Sequence, residues 1–234
     1  MVTVKQLLGQ DESTLVEMAD GHRLVAAAAA AFQALRDDAH QAGFDLSVAS
    51  SYRSFDRQCL IWNGKVAGQR PLHDDSGHLL CASDMASDEL IHAIMRFSAL
   101  PGASRHHWGT DLDVFDAMAL PADYQLQLSP AEVASGGLFD PLHCWLDEQM
   151  AADHSHGFFR PYNEDRGGVA PERWHLSYAP LATACEAISY RPALVEVLLQ
   201  ADLALCDAVN AQLVELLTRY VAVPAQWCPG YYRT

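Results

Sequence analysis

Ser104-Arg105-His106-His107-Trp108-Gly109-Thr110-Asp111-Leu112-Asp113-Val114-Phe115 is the stretch whose reading decides the fold. Gly109 permits a tight turn between His106 and the residues that follow. Past it, polar and apolar side chains alternate as they do on a strand. Asp111 and Asp113 therefore share one face, while Leu112 and Val114 point the other way, toward a core. Such a turn-strand unit brings an imidazole and a carboxylate to one point, and it needs other strands beside it and helices behind it.

A second stretch carries the same residue types: Pro171-Glu172-Arg173-Trp174-His175. On a straight strand Glu172 and His175 would face opposite sides, so the chain has to bend here if both serve one site. Pro171 and the preceding Gly167-Gly168 pair allow that bend. Two imidazoles and one carboxylate leave a fourth position open on a tetrahedral zinc ion, where bound water becomes a nucleophile near neutral pH. A nearby carboxylate that is not a ligand can then move protons, and Glu172 suits that task.

Outward from these segments the chain alternates helical and extended patterns. Gly21 to His40 reads as an Ala-rich helix stopped by Gly43, and Phe44 to Ser50 alternates as a strand. Ser54 is an N-cap for a helix that runs to Gly64, and Gly68 to Ser87 is a turn-rich surface excursion. Asp88 to Leu100 reads as a helix, Ser129 to Met150 as two helical pieces broken at Gly136-Gly137, and Phe158-Phe159 and Trp174 to Tyr178 as short strands. Beyond Pro180, leucines at helical spacing mark two or three helices ending near Val221. The expected class is α+β: a small, mainly antiparallel sheet flanked by helices, with a zinc site in a cleft at the sheet's edge. Residues 1–180 form the catalytic unit and residues 181–234 a helical extension packed on it.

Composition removes other classes. The 234 residues carry 30 acidic and 15 basic side chains, a formal charge of −15, which repels phosphate backbones and anionic lipid. Nucleic acid is thus not an expected partner. The apolar run Leu24 to Leu35 falls short of the ~20 residues that span a bilayer. Asp11, Glu12, Glu17 and Asp20 crowd the start where a secretory signal would need an apolar stretch, so a cytoplasmic location is expected, with periplasmic action by another route left open. Six cysteines without a C-x-x-C pair (Cys59, Cys81, Cys144, Cys185, Cys206 and Cys228) read as buried reduced thiols. The chain has no G-x-S-x-G elbow, H-E-x-x-H helix or P-loop. His107, His154 and His156 are read as structural, and Trp108 and Trp174 as packing residues.

The pattern S-x-H-x-x-G-x-x-x-D followed by E-x-W-H resembles that of the zinc D-alanyl-D-alanine carboxypeptidases and dipeptidases of the vancomycin-resistance type, whose relatives include L,D-carboxypeptidases and some phage endolysins. It is supplied here by Ser104, His106, Gly109 and Asp113, then Glu172, Trp174 and His175. An upstream Ser50-Ser51-Tyr52-Arg53-Ser54 with Gln58 adds a third match, and the likeness runs from about Phe44 to Tyr178. The resemblance implies Zn2+ held by His106, Asp113 and His175, and Glu172 as general base. It also implies that Arg53 binds the substrate's terminal carboxylate or the developing oxyanion, with Gln58 and Ser104 assisting. Arginine suits that role because its planar fork makes paired charge-assisted bonds. The implied substrate is a peptidoglycan stem peptide, precursor or muropeptide cut at its terminal D-alanine. L,D-carboxypeptidase or endopeptidase action and a non-catalytic binding module on the same scaffold are the alternatives. Where the family pattern often has alanine this chain has Asp111, which either supports the ligands from behind or displaces Asp113 as the ligand.

Overall fold

The computed structural model describes residues 2–222. A short capped helix, α1 (Val4–Leu7), leads into a hairpin of β1 (Leu15–Glu17) and β2 (Arg23–Val25), followed by α2 (Ala26–Gln41), β3 (Leu46–Ser50) and α3 (Phe55–Val66). Then come α4 (Ser87–Met95), a 3₁₀ turn (Arg105–Trp108), β4 (Asp111–Asp116), α5 (Pro130–Val133), α6 (Asp140–Ala151), β5 (Phe158–Phe159) and β6 (His175–Tyr178). Four helices close the described chain: α7 (Ala179–Glu186), α8 (Arg191–Gln200), α9 (Cys206–Ala211) and α10 (Leu213–Leu216), with a π turn at Leu217–Val221.

The main sheet is four-stranded and antiparallel in the order β3-β4-β6-β5. Its apolar face is made by Leu46, Val48, Leu112, Val114, Phe158 and Leu176. These pack on Leu24, Ala28, Phe32 and Leu35 of the α2 region and on Leu142 and Leu146 of α6. A second apolar cluster joins Trp62 of α3 and Leu90, Ile91, Ile94 and Met95 of α4 to Leu194, Leu198, Val209, Leu213 and Leu216 of the C-terminal helices. Hydrogen bonds tie the two parts: Trp62 Nε1 donates to the Ala204 carbonyl (2.9 Å), and Asn63 both donates to Asp202 O and accepts from Ala204 N. Residue 180 falls inside α7, so no linker separates the segments on either side of it. No helix among the described residues is long and apolar enough to cross a membrane.

Several sequence expectations change. Residues 21–25 belong to a turn and to β2 rather than to the Ala-rich helix, because Arg23–Val25 pairs with β1 and Val25 N bonds the Gly109 carbonyl (2.9 Å). Local helix propensity yields there to tertiary pairing. The strand expected from Phe44 begins at Leu46, α3 continues through Gly64 to Val66, and α4 ends at Met95. The cysteines are not uniformly buried: Cys185 is, whereas Cys81 and Cys144 are exposed and Cys59 and Cys206 intermediate. Cys228, with the rest of residues 223–234 of the expected extension, lies outside the described residues.

Candidate active site

Register builds the site. Asp113 of β4 lies opposite Ser50 of β3 on one side and His175 of β6 on the other, so these three residues form one row across the sheet. Side chains in such a row stand about 5 Å apart. β4 and β6 are the two central strands, which places the group over the middle of the sheet and not at its edge. An edge position would have left one ligand without a neighbouring strand to supply its partner.

His106 reaches the row from the 3₁₀ turn, which Gly109 ends with φ +70°. The backbone angle favours glycine, and a Cβ there, 2.5 Å from Leu15 Cδ2, would also have to push that side chain aside. The far nitrogens of both imidazoles are committed elsewhere. His106 Nδ1 donates to the Ser51 carbonyl (2.9 Å), and His175 Nε2 donates to Asp111 Oδ1 (3.0 Å). Each ring therefore turns a lone pair toward Asp113: His106 Nε2 is 3.3 Å from Asp113 Oδ2, and His175 Nδ1 is 3.2 Å from Asp113 Oδ1. One donor atom from each of the three residues lies within 4.8 Å of the others. Asp113 Oδ1 is buried and makes no hydrogen bond. Two imidazole lone pairs and an orphaned carboxylate oxygen around one point fit a zinc ion with an open position.

The expected bend is present: His175 N bonds the Glu172 carbonyl (3.1 Å), closing a turn immediately before β6, and Glu172 N bonds Tyr162 O (2.9 Å). The turn brings Glu172 Oε2 within 3.6 Å of His175 Nδ1. Burial pushes the Glu172 carboxyl up to about 8, reinforced by the Asp113 charge and opposed by His175, Arg53 and Lys65. Burial also works against charge on His175, yet the Asp111 and Asp113 carboxylates outweigh it and raise its pKa, so that a cation bound by the trio would take the place of the Nδ1 proton. His106 is lowered, first by burial and then by Arg53. Asp113 lies well below the usual carboxylate range: burial alone would raise it, and the two imidazoles overcome that.

Asp111 is not in the metal-capable trio. Its Oδ1 accepts from both His175 Nε2 and Arg105 Nε (2.8 Å), and its Oδ2 accepts from Thr110 (2.6 Å). Arg105, 2% exposed, also donates to Ser177 Oγ (2.7 Å) and Glu186 and stacks over Trp108. This chain of bonds sets the His175 tautomer and links it to α7. Sequence reading missed Arg105. The available signal was a second buried acid on β4, which demands a cation.

Arg53 lines the cleft, its Nε donating to Ser50 Oγ (2.9 Å) and its NH2 group to Asp113 Oδ2 (3.0 Å). Ser104 Oγ, buried and without a hydrogen-bond partner, lies on the same wall. Gln58 is not brought to the cleft. It is fully buried with its amide donating to Ala99 O (2.8 Å), so it props the Ser98-Ala99 wall from behind. His107 also stays out of the trio: its Nδ1 donates to Arg53 O (2.7 Å) and its Nε2 accepts from Gly102 N (3.0 Å), which clamps the segment carrying Arg53. His156 pairs with Asp38 (2.7 Å) at the surface. Trp174 packs in an apolar cluster with Val133 and Phe139 while one side faces the cleft, which has a volume of about 680 Å³.

Residues 21–181 match the family VanY: D-alanyl-D-alanine carboxypeptidase. Two uncharacterized proteins of Haemophilus influenzae are similar in sequence. One is 41% identical over 103 residues (42% of this chain, 70% of that protein) and the other 42% identical over 84 residues (36% and 63%). Among solved structures, a vancomycin-resistance D,D-pentapeptidase VanY in complex with Zn(II) is 26% identical, with 70% of this chain and 77% of that one aligned at a TM-score of 0.49.

Proposed function

Because the chain belongs to the VanY family of D-alanyl-D-alanine carboxypeptidases, we propose that it is a zinc carboxypeptidase that removes the terminal D-alanine from peptidoglycan stem peptides or their precursors. The observation that carries this reading is the convergence of His106 Nε2, Asp113 and His175 Nδ1 beside Glu172, with both imidazole tautomers preset by Ser51 and Asp111. His106, Asp113 and His175 would hold the ion, which would supply Lewis-acid polarisation of the scissile carbonyl and of water.

The chain's own groups do the rest. Arg53, at the cleft wall and already bonded to Asp113, fixes the substrate's terminal carboxylate with its planar fork. Ser104 Oγ, buried without a partner, offers a hydrogen bond to the bound peptide. Glu172 Oε2 takes a proton from the attacking water and passes it to the amine nitrogen as the peptide C–N bond breaks. A carboxyl raised toward neutrality is matched to both transfers, since efficient proton transfer wants a pKa near the working pH. Ser104 and Glu172 are buried and Arg53 is only partly exposed, which strengthens each of these interactions.

The test is mass spectrometry of muramyl penta- and tetrapeptides incubated with the protein, with and without a chelator. Loss of one D-alanine from the pentapeptide, abolished by the chelator and restored by Zn2+, is the expected result. Cleavage of the tetrapeptide alone would move the assignment to L,D-carboxypeptidase, and internal cleavage to an endopeptidase. Binding of zinc without any product would leave a non-catalytic module.

A further inference from the structure

One wall of the cleft concentrates positive charge in a chain whose net charge is −15. Arg57, Ile61 and Lys65 follow at intervals of four along α3, so they share one helix face, and all three line the cleft together with Arg53 and Arg70. Lys65 and Arg70 are half-buried, and Arg57 is exposed. Arg53 has Asp113 as an ion-pair partner, whereas Arg57, Lys65 and Arg70 are in no side-chain hydrogen bond or ion pair to a described residue. The acids that line the cleft do not neutralise them: Asp74 is engaged by Ser76 and His78 in its own loop, and Asp113 and Glu172 belong to the site.

Arg70 is also held in place by the backbone. Its N–H bonds the Gly64 carbonyl (3.0 Å), folding the chain back along α3. A Cβ at Gly64 would lie 3.0 Å from Arg70 Cδ, so the arginine lies in close contact with the helix backbone where it crosses α3. A glycine inside a helix costs about 1 kcal/mol relative to alanine. Here it leaves room for that close contact. Lys65 sits close enough to Arg53 and Arg70 that their charges, after burial, lower its pKa, and close enough to Glu172 that this carboxylate counters them. Lys65 thus has the Glu172 carboxylate nearby, but neither Lys65 nor Arg70 has a hydrogen-bonded or ion-paired anion among the described residues.

We propose that Lys65 and Arg70 form a subsite for a second anionic group of the substrate, so that the preferred substrate carries a further carboxylate or phosphate in addition to its C-terminal carboxylate. The peptide nature of that substrate rests on the carboxypeptidase reading above. A cationic wall in a low-dielectric cleft concentrates such ligands and discriminates against their neutral analogues.

The test uses the full chain, zinc-loaded and carrying Glu172→Gln, so that binding is measured without turnover. Calorimetric titration compares two peptides ending in D-Ala-D-Ala that differ only in having Glu or Gln as the preceding residue, and inorganic pyrophosphate is the third titrant. The Glu peptide is expected to bind about tenfold tighter, a ratio that shrinks with added salt and falls below about threefold with either Arg70→Gln or Lys65→Met. Equal binding of the two peptides, with pyrophosphate competing against them and losing strength in both variants, would assign the subsite to a phosphate. If neither the carboxylate nor pyrophosphate responds to these two substitutions, the subsite does not exist. Wild-type turnover of the same peptides is scored separately: an intact binding ratio with no D-alanine released would retain the subsite and remove the carboxypeptidase reading.

Discussion

The two faces of β4 are equally hidden from water and are built on opposite principles. Leu112 and Val114 are 0% and 1% exposed, Asp111 and Asp113 0% and 3%, and they alternate along the same six residues. On the apolar face, stability comes from area removed from water and is shared among α2, α6 and the neighbouring strands. On the polar face each group depends on a named partner: Asp111 on Arg105 and His175, Asp113 on His106, His175 and Arg53. Non-directional burial tolerates small changes, whereas a buried charge deprived of its partner has nothing else to turn to. The fold can therefore be weakened through one face and the chemistry through the other, largely independently.

That separation can be broken by experiment. The largest effect is expected for Glu172→Gln, which should lower kcat about 10³-fold while the protein still carries one zinc per chain by elemental analysis; His106→Ala, in contrast, should lose the zinc as well. Activity that survives Glu172→Gln would show that the proton is carried elsewhere. On the opposite face, Leu112→Ala should cost about 2–5 kcal/mol in urea unfolding yet change turnover per folded molecule only slightly. A large loss of kcat there would mean that the faces are coupled.

A smaller shift is expected behind the metal group. Asp111→Asn keeps an acceptor for His175 Nε2 but loses the charge that Arg105 answers, and zinc affinity should fall about 10–100-fold in chelator competition. An unchanged affinity would reduce Asp111 to packing. At neutral pH the smallest effect lies in α6, which covers the apolar face and yet buries His143. Burial, with Arg160 and Arg173 nearby, lowers this imidazole to about 3. Between roughly pH 6.5 and pH 3 the unfolded chain binds a proton that the folded chain refuses, so this residue removes about 1.4 kcal/mol of stability per unit as pH falls through that window. His143→Gln should flatten the stability profile by that slope, measured by denaturant titration at several pH values.

How much of this was legible in advance differs from residue to residue. The alternation at Asp111 to Val114 predicted both faces of β4, and the mismatch of Glu172 and His175 on a straight strand predicted the turn that joins them. Local patterns sufficed there because strand geometry has a fixed period. The hairpin of β1 and β2 was hidden, since Ala26 onward is so strongly helical that Arg23–Val25 merged into it. Gln58 was placed at the substrate by likeness alone, and the orientation of α3 turns its amide to Ala99 instead. Arg105 sits inside the most informative stretch of the chain, and only the second acid of β4, Asp111, hinted at its role, because its other partners Ser177 and Glu186 are more than seventy residues away.

Sequence by itself determined the residue types, their spacing and their alternation: two imidazoles and a carboxylate on a turn and two strands, and a glutamate one bend away. Those follow from backbone periods that any segment obeys locally. Only the tertiary structure decided which of two aspartates meets the imidazoles, which nitrogen of each ring stays open, and that Arg70 lies across Gly64 toward the same cleft. These depend on strand register and on side chains brought together from distant parts of the chain, and a one-residue slip would have exchanged one face of the sheet for the other.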